Sequence, residues 1–207
     1  MDPVNPLRTI APTVDADVLQ VLARTQRGLN GSMVARLSGR SYAQVRTSLH
    51  RLVSHGLVTT QDAGSAVLYR LNRSHVLSGP VLAVVAATGT VEAWLGDRLG
   101  RWSPPPVAVV LFGSWARGAA APDSDLDLLV VRADDVDADG PWGEQLHATG
   151  EELEALTGNP VQFVQVTTAQ LATAVREAQP LITGLRQDGR VLVGPSLRAL
   201  LAAGGPA

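Results

Sequence analysis

The sequence contains no cysteine and no lysine. The first absence excludes disulfide staples and thiolate metal sites. The second excludes P-loop ATPases, whose phosphate loop needs a lysine; all 17 basic residues are arginine. No apolar run reaches the roughly 18 residues that span a bilayer, so no membrane contact is expected. Met1-Asp2-Pro3 opens the chain without a basic stretch followed by an apolar one, and no secretory leader is expected. The expected location is cytoplasmic. The four histidines, His50, His55, His75 and His147, lack ligand spacing, so a metal-sensing role is not expected.

Hydrophobic residues make up 45% of 207, enough to bury a core in one large domain or two small ones. The net charge of −2 hides an asymmetry. Residues 1–78 carry nine Arg against Asp2, Asp15, Asp17 and Asp62, a balance of +5, while residues 79–207 stand at −7. A basic half beside an acidic half implies different partners, with nucleic acid favoured for the first.

Residues 1–13 hold Pro3, Pro6 and Pro12 and read as an irregular arm. Asp15 to Thr25 has a helical apolar face of Val18, Leu19, Val21 and Leu22, broken by Gly28. Ser32 can cap a second helix that Gly39 closes, and Ser41 a third that runs to about His55 and stops at Gly56. Leu57–Gln61 and Ala66–Leu71 then read as a hairpin around a turn at Asp62–Ser65. Three helices and a hairpin form the layout of a winged helix-turn-helix. On the third helix Val45, Leu49, Leu52 and Val53 should face the core, leaving Ala43, Gln44, Thr47, His50 and Arg51 opposite. The candidate contacts to double-stranded DNA are Arg40, Ser41, Gln44, Arg46, Thr47, Arg51 and, from the wing, Arg70 with Arg73 beside it. Tyr42 and Tyr69 are expected to pack, Tyr42 alternatively to touch DNA. The arrangement resembles the winged-helix bacterial regulators of the MarR and ArsR type, which implies operator binding as a homodimer.

Pro80 opens a linking segment with one helix over Val81–Leu99, loosened near Gly89, able to pack on either domain or on a second subunit. Pro104-Pro105-Pro106 ends it. The expected division is 14–78 winged helix, 79–103 linking helix, 104–195 second domain and 196–207 tail, with Gly204–Ala207 disordered.

The second domain alternates. Strands are expected at Val107–Phe112, Asp125–Val131 and Val161–Val166, with an edge strand at Val191–Val193. Helices are expected at Trp142–Thr157 (Leu146, Leu153 and Leu156 inward), at Thr168–Ala178 capped by Thr167 or Thr168, and at Leu181–Gln187. The fold class is α/β (α+β), with a short mixed sheet flanked by helices.

The strongest signal is Leu111-Phe112-Gly113-Ser114-Trp115-Ala116-Arg117-Gly118, followed by Asp123-Ser124-Asp125-Leu126-Asp127. A buried strand ends in Gly-Ser, where Gly113 admits an anion close to the backbone and Ser114 adds a hydroxyl and an N–H. A helix beginning at Trp115 would aim its positive end there. Asp125 and Asp127, two apart on a strand, leave by one face while Leu126 and Leu128 take the other. Two carboxylates beside a phosphate cradle suit Mg²⁺. The run resembles the minimal nucleotidyltransferases of the DNA polymerase β superfamily, whose mark is Gly-Ser, ten residues, Asp-x-Asp, here Gly113, Ser114, Asp125 and Asp127. Arg117-Gly118 and Asp188-Gly189-Arg190 look similar too. The resemblance implies Mg²⁺-dependent binding of a nucleoside triphosphate by Gly113, Ser114, Arg117 and Ser124, with Asp125 and Asp127 as metal ligands and catalytic carboxylates. It also implies a third carboxylate on the strand after the intervening helix, where this sequence has Gln162. A glutamine is no general base and a poor Mg²⁺ ligand. Three functions stay open: a nucleotide-binding transcriptional regulator, an active nucleotidyltransferase of the antitoxin or small-molecule-modifying kind, and an interaction module in which both sites are relics.

Overall fold

A computed structural model describes residues 1–202. It divides into two compact units, one running from Val4 to Thr88 and the other from Gly89 onward, to which Met1 and Pro3 belong.

In the first unit Pro6 starts a short helix, α1 (Pro6–Ile10), within the arm expected to be irregular. Proline suits a first helical turn because its missing N–H has no partner there anyway. Thr13 then caps α2 (Val14–Ala23) by accepting from the Ala16 N–H. A two-residue strand, β1 (Leu29–Asn30), follows; its brevity hid it from sequence periodicity. The cap of α3 (Gly31–Ser38) is Asn30, whose Oδ1 accepts from the Met33 N–H at 2.9 Å, and not the expected Ser32, which lies inside the first turn. Gly39 closes α3 at φ +67. Helix α4 (Tyr42–Ser54) starts at Ser41 with a reciprocal capping box to Gln44 and ends at Gly56. The hairpin β2 (Val58–Ala63) and β3 (Ala66–Leu71) turns on Gly64-Ser65 alone, tighter than the expected Asp62–Ser65, with Ala63 paired to Ala66. Gly64 takes the positive φ such a turn needs. The sheet order is β1-β3-β2, all antiparallel. Val18, Leu22, Val34, Val45, Leu49 and Val58 form the shared core.

The linking segment is two helices, α5 (Ser78–Val85) and α6 (Ala87–Leu99), broken at Ala86 and not at Gly89. Each is claimed by a different core. Val81, Leu82, Val84 and Val85 pack on the first unit's core, whereas Val91, Leu95 and Leu99 belong to a core of the second. No single helix among the described residues is long and apolar enough to cross a membrane.

The second unit continues with β4 (Ala108–Phe112), α7 (Gly113–Arg117), β5 (Leu126–Arg132), α8 (Gly140–Thr157), β6 (Val161–Thr167), α9 (Thr168–Arg176), α10 (Pro180–Asp188), β7 (Arg190–Val193) and α11 (Leu197–Ala202). The sheet order is β6-β5-β4-β7. β5 and β6 run parallel, joined by the crossover helix α8, and β4 pairs antiparallel with both β5 and β7. This is the expected mixed sheet flanked by helices. Its two faces hold separate cores. Leu111, Leu126, Leu128 and Val130 meet α6 and α8, with Trp102 edge-on to Trp142. Val110, Leu129 and Val131 meet α9, α10 and α11. Thr167 is the cap of α9, in a capping box with Gln170. Leu146 and Leu153 point inward on α8, but Leu156 is 49% exposed. It stands roughly 80° round the helix from Leu146, at the margin of the buried stripe. Helix α11 was not expected from the sequence; Leu200 and Leu201 bury it. Gly204–Ala207, expected to be disordered, lie outside the described residues.

Between α9 and α10 the exposed Ala178 has φ +49, the one non-glycine residue with positive φ among those described. A Cβ is strained there, and nothing but the strain resists its removal. Ala178→Gly is expected to stabilise the protein by about 0.5–1 kcal/mol, the strain relieved less the entropy glycine brings to the unfolded chain. Thermal unfolding monitored by circular dichroism would show a higher midpoint; an unchanged or lower one refutes the strain.

Candidate functional site

The end of β4 and the start of β5 form one edge. Phe112 pairs with Asp127 across the antiparallel ladder. Gly113 follows at φ +72, and a Cβ built on it would lie 2.2 Å from Asp127 Oδ2. The carboxylate therefore sits directly over the glycine backbone, in space that only glycine leaves open. Helix α7 begins at Gly113, two residues earlier than expected, and ends at Gly118. Ser114 is partly exposed at its start. Asp125 precedes β5 and is exposed, Asp127 is half-buried, and Leu126 and Leu128 are buried on the opposite face. The expected alternation holds for Leu126, Asp127 and Leu128, whereas Asp125, expected on the strand, lies just before it.

The pKa of Asp127 is raised. Burial is the largest cause, the like charge of Asp125 adds to it, and the nearby Arg117 opposes both. The folded chain thus favours protonated Asp127 more than the unfolded chain does. That advantage is complete at acid pH below the ordinary carboxylate value and is lost as pH rises through the raised one. At neutral pH the ionised group is a net cost. Asp127→Asn is expected to raise the melting temperature at pH 7 by roughly 1–3 °C, with the gain vanishing near pH 3. A lower midpoint at pH 7 would contradict the assignment.

Arg117 forms an ion pair with Asp188 at the end of α10. Ser124 Oγ accepts from the Ala121 N–H at 2.8 Å, so this hydroxyl shapes its own loop. The buried Asn159 donates to the carbonyls of Pro122 and Ser124, fixing the loop that delivers Asp125. Gln162 pairs in parallel register with Asp127, and strand alternation places both on the sheet face away from α8. The position where the family resemblance implies a third carboxylate is therefore the immediate neighbour of Asp127. Among the described residues no group of three or more His, Cys, Asp or Glu could hold a metal.

On α4 the predicted faces are found: Val45, Leu49 and Leu52 are buried, and Ala43, Gln44, Thr47, His50 and Arg51 are exposed. Ala43, Arg46, Thr47 and His50 line a shallow groove. Ser41 and the Gln44 side-chain carbonyl are engaged with each other in the capping box. Arg40 is bound to Asp17 and Arg51 to Asp15, both inside the unit. Arg70 is exposed on β3. Tyr69 packs against the core, whereas Tyr42 is 56% exposed and lies over Gly31.

Comparison with known families agrees with both halves. The nucleotidyltransferase domain family matches residues 95–182, and the IclR helix-turn-helix domain matches residues 16–62. The chain fuses an IclR-type helix-turn-helix domain to a nucleotidyltransferase domain. The sequence had suggested the MarR and ArsR types for the first. Two solved structures are similar: a toxin-antitoxin crystallised with AMP-PNP, at 21% identity and TM-score 0.40, and a mutant of the toxin-antitoxin MntA-HpeT, at 18% and 0.38. Each similarity covers 55% of this chain and 82% of the other. No curated protein matches the chain.

Sequence reasoning missed four participants. In the nucleotidyltransferase domain it gave Asp188 no role as partner of Arg117, and it did not find Asn159. In the helix-turn-helix domain it counted Asp15 and Asp17 only as charge. For Asp17 a signal existed: an acid between Ala16 and Val18, inside a helical stretch that is otherwise core.

Proposed function

We propose that this protein is a DNA-binding transcriptional regulator whose nucleotidyltransferase domain binds a nucleoside triphosphate with Mg²⁺. The observation that carries the proposal is the register of Asp127 with Gln162, beside a glycine that admits no side chain. The edge keeps what binding needs and lacks the carboxylate that a nucleotidyl transfer would use as base. Mg²⁺ accepts one or two protein carboxylates when phosphate oxygens and water complete its octahedron, and Asp125 and Asp127 fit that donor set. The ion would neutralise the triphosphate. Gly113 and Ser114 would bring backbone and hydroxyl donors to it, with Arg117 as nearby positive charge. In the basic unit, Ser41, Gln44, Arg46 and Thr47 on α4 and Arg70 on the hairpin would meet DNA, the helix in the major groove and the wing on phosphate. Dimers are expected on an operator with two half-sites.

The test has two arms. ATP or GTP with Mg²⁺ should raise the melting temperature, and neither should in Asp125→Ala. Incubation with α-labelled triphosphates should give no labelled product and no pyrophosphate; turnover would establish the enzyme reading instead. In the second arm, the DNA upstream of the protein's own gene should be retarded in a gel, with affinity falling steeply as salt rises. Salt-insensitive or absent retardation counts against DNA binding.

A further inference from the structure

The first unit contains a buried carboxylate that the proposed function leaves unused. Asp17, on α2, has a side chain only 1% exposed. Its Oδ1 accepts from Asn5 Nδ2 at 2.8 Å and from Arg8 Nε, both on the N-terminal arm. Its Oδ2 accepts from Arg40 Nε, in the turn that leads into α4. Two residues earlier, Asp15 Oδ1 accepts from Ser48 Oγ at 2.6 Å and Oδ2 pairs with Arg51, both on α4. The first turn of α2 therefore grips the exposed helix at its lead-in and again two turns along. Asp15 and Asp17 are about 200° apart around α2, so the two grips approach from different flanks.

We propose that Asp17 is a positioning residue for DNA recognition, and that Arg40 and Arg51 act inward as holding partners and make no contact with DNA. The inference rests on the DNA-binding reading above. The physical reason is the burial of the carboxylate. A charge removed from water is tolerated when it is paired and hydrogen-bonded, so Asp17 holds its guanidinium partners firmly. Arg40 cannot leave for a base edge without leaving the buried Oδ2 of Asp17 without its partner, and its own exposure is only 35%. Arg51 is looser, at 59% exposure, but it shares Asp15 with Ser48, which is buried. The contacts left to DNA from α4 and its cap are Ser41, Gln44, Arg46 and Thr47, the last two on the groove that His50 also lines. The Asn5 and Arg8 bonds extend the same grip to α1, so the arm and the lead-in of α4 share one anchor.

Salt dependence of DNA binding separates a phosphate contact from a holding contact. Each phosphate neutralised contributes about 0.9 to the slope of log affinity against log salt. With the full-length protein and DNA from upstream of its own gene, Arg46→Ala should flatten that slope by about 0.9. Arg40→Ala should lower specific affinity about tenfold or more with the slope unchanged, because the helix loses its setting and no phosphate contact is lost. Asp17→Asn keeps the shape but frees Arg8 and Arg40. It should steepen the slope and reduce the preference for specific over random DNA by about tenfold or more. Arg40→Ala flattening the slope as Arg46→Ala does would overturn the inference, as would Asp17→Asn leaving slope and preference unchanged. Thermal melts guard against simple misfolding. The losses in melting temperature for Asp17→Asn and Arg40→Ala should be clearly less than additive in the double variant, and additive losses would also overturn the pairing. Failure of the wild-type protein to bind any DNA in a salt-dependent way would instead remove the DNA-binding reading, and the positioning role with it.

Discussion

Gly113→Ala is expected to cost about 2–4 kcal/mol of stability, roughly 10 °C in a domain of this size, and to abolish the Mg²⁺-dependent thermal shift with triphosphate. Two effects add. The first is conformational: φ +72 lies where an L-residue is strained by about 1–2 kcal/mol. The second is steric. The new methyl would be 2.2 Å from Asp127 Oδ2, and its next neighbours would be Cγ and Cβ of the same side chain. Asp127 would have to swing away or β5 would have to shift, and either movement displaces a proposed metal ligand. Gly118 supplies the control. It has a similar φ of +66, but a Cβ there meets nothing within 4 Å. Gly118→Ala should therefore show the conformational cost alone and keep the nucleotide-dependent shift. Equal melting temperatures for the two variants would mean that the close approach of Asp127 to Gly113 has no energetic weight.

Much of this edge was legible in the sequence because it depends on local spacing. A strand alternates faces at every residue, so Leu126 and Leu128 had to go inward and Asp127 to leave by the other face; Asp125, just before the strand, is close enough for its charge to act on Asp127. A glycine between an apolar run and a helix pointed to a backbone turn. What was not legible depends on partners far away in sequence. The pairing of Arg117 with Asp188 spans 71 residues, and that of Arg40 with Asp17 spans 23. An arginine on a helix that reads as DNA-facing looks the same in sequence whether it faces solvent or a buried acid. Capping failed in a different way. Asn30 and Ser32 are both good caps, and the choice followed from β1, whose pairing with β3 sets Asn30 in an extended conformation. The break at Ala86 has no proline or glycine to announce it. It is explained by packing, since Val81–Val85 and Val91–Leu99 serve separate cores.

The position of Gln162 is where sequence and structure together yield the sharpest expectation. The sequence could say only that a strand near residue 162 lacks an acid. The parallel register of β5 and β6 makes Gln162 the direct neighbour of Asp127 on the same face. Gln162→Glu adds one carboxylate at nearly constant volume, and Gln162 is exposed, so the change should fold. The new charge has consequences of its own. It stands beside Asp127, whose pKa burial and Asp125 already raise, so the like charge should raise it further. In the absence of Mg²⁺ the variant should melt below the wild type at pH 7, and the difference should shrink when Mg²⁺ is added. With Mg²⁺ and a triphosphate, a positioned base is worth about 10²–10⁴ in rate. Gln162→Glu should accordingly release pyrophosphate or transfer an α-label where the wild type is expected to do neither, and Gln162→Glu combined with Asp125→Ala should lose that gain. Turnover by the wild type at a rate that Gln162→Glu does not exceed would mean that another group serves as base and that the domain is an enzyme as it stands. No turnover in either protein, with Mg²⁺ stabilising Gln162→Glu more than wild type, would place the obstacle in the acceptor and leave the carboxylate set intact.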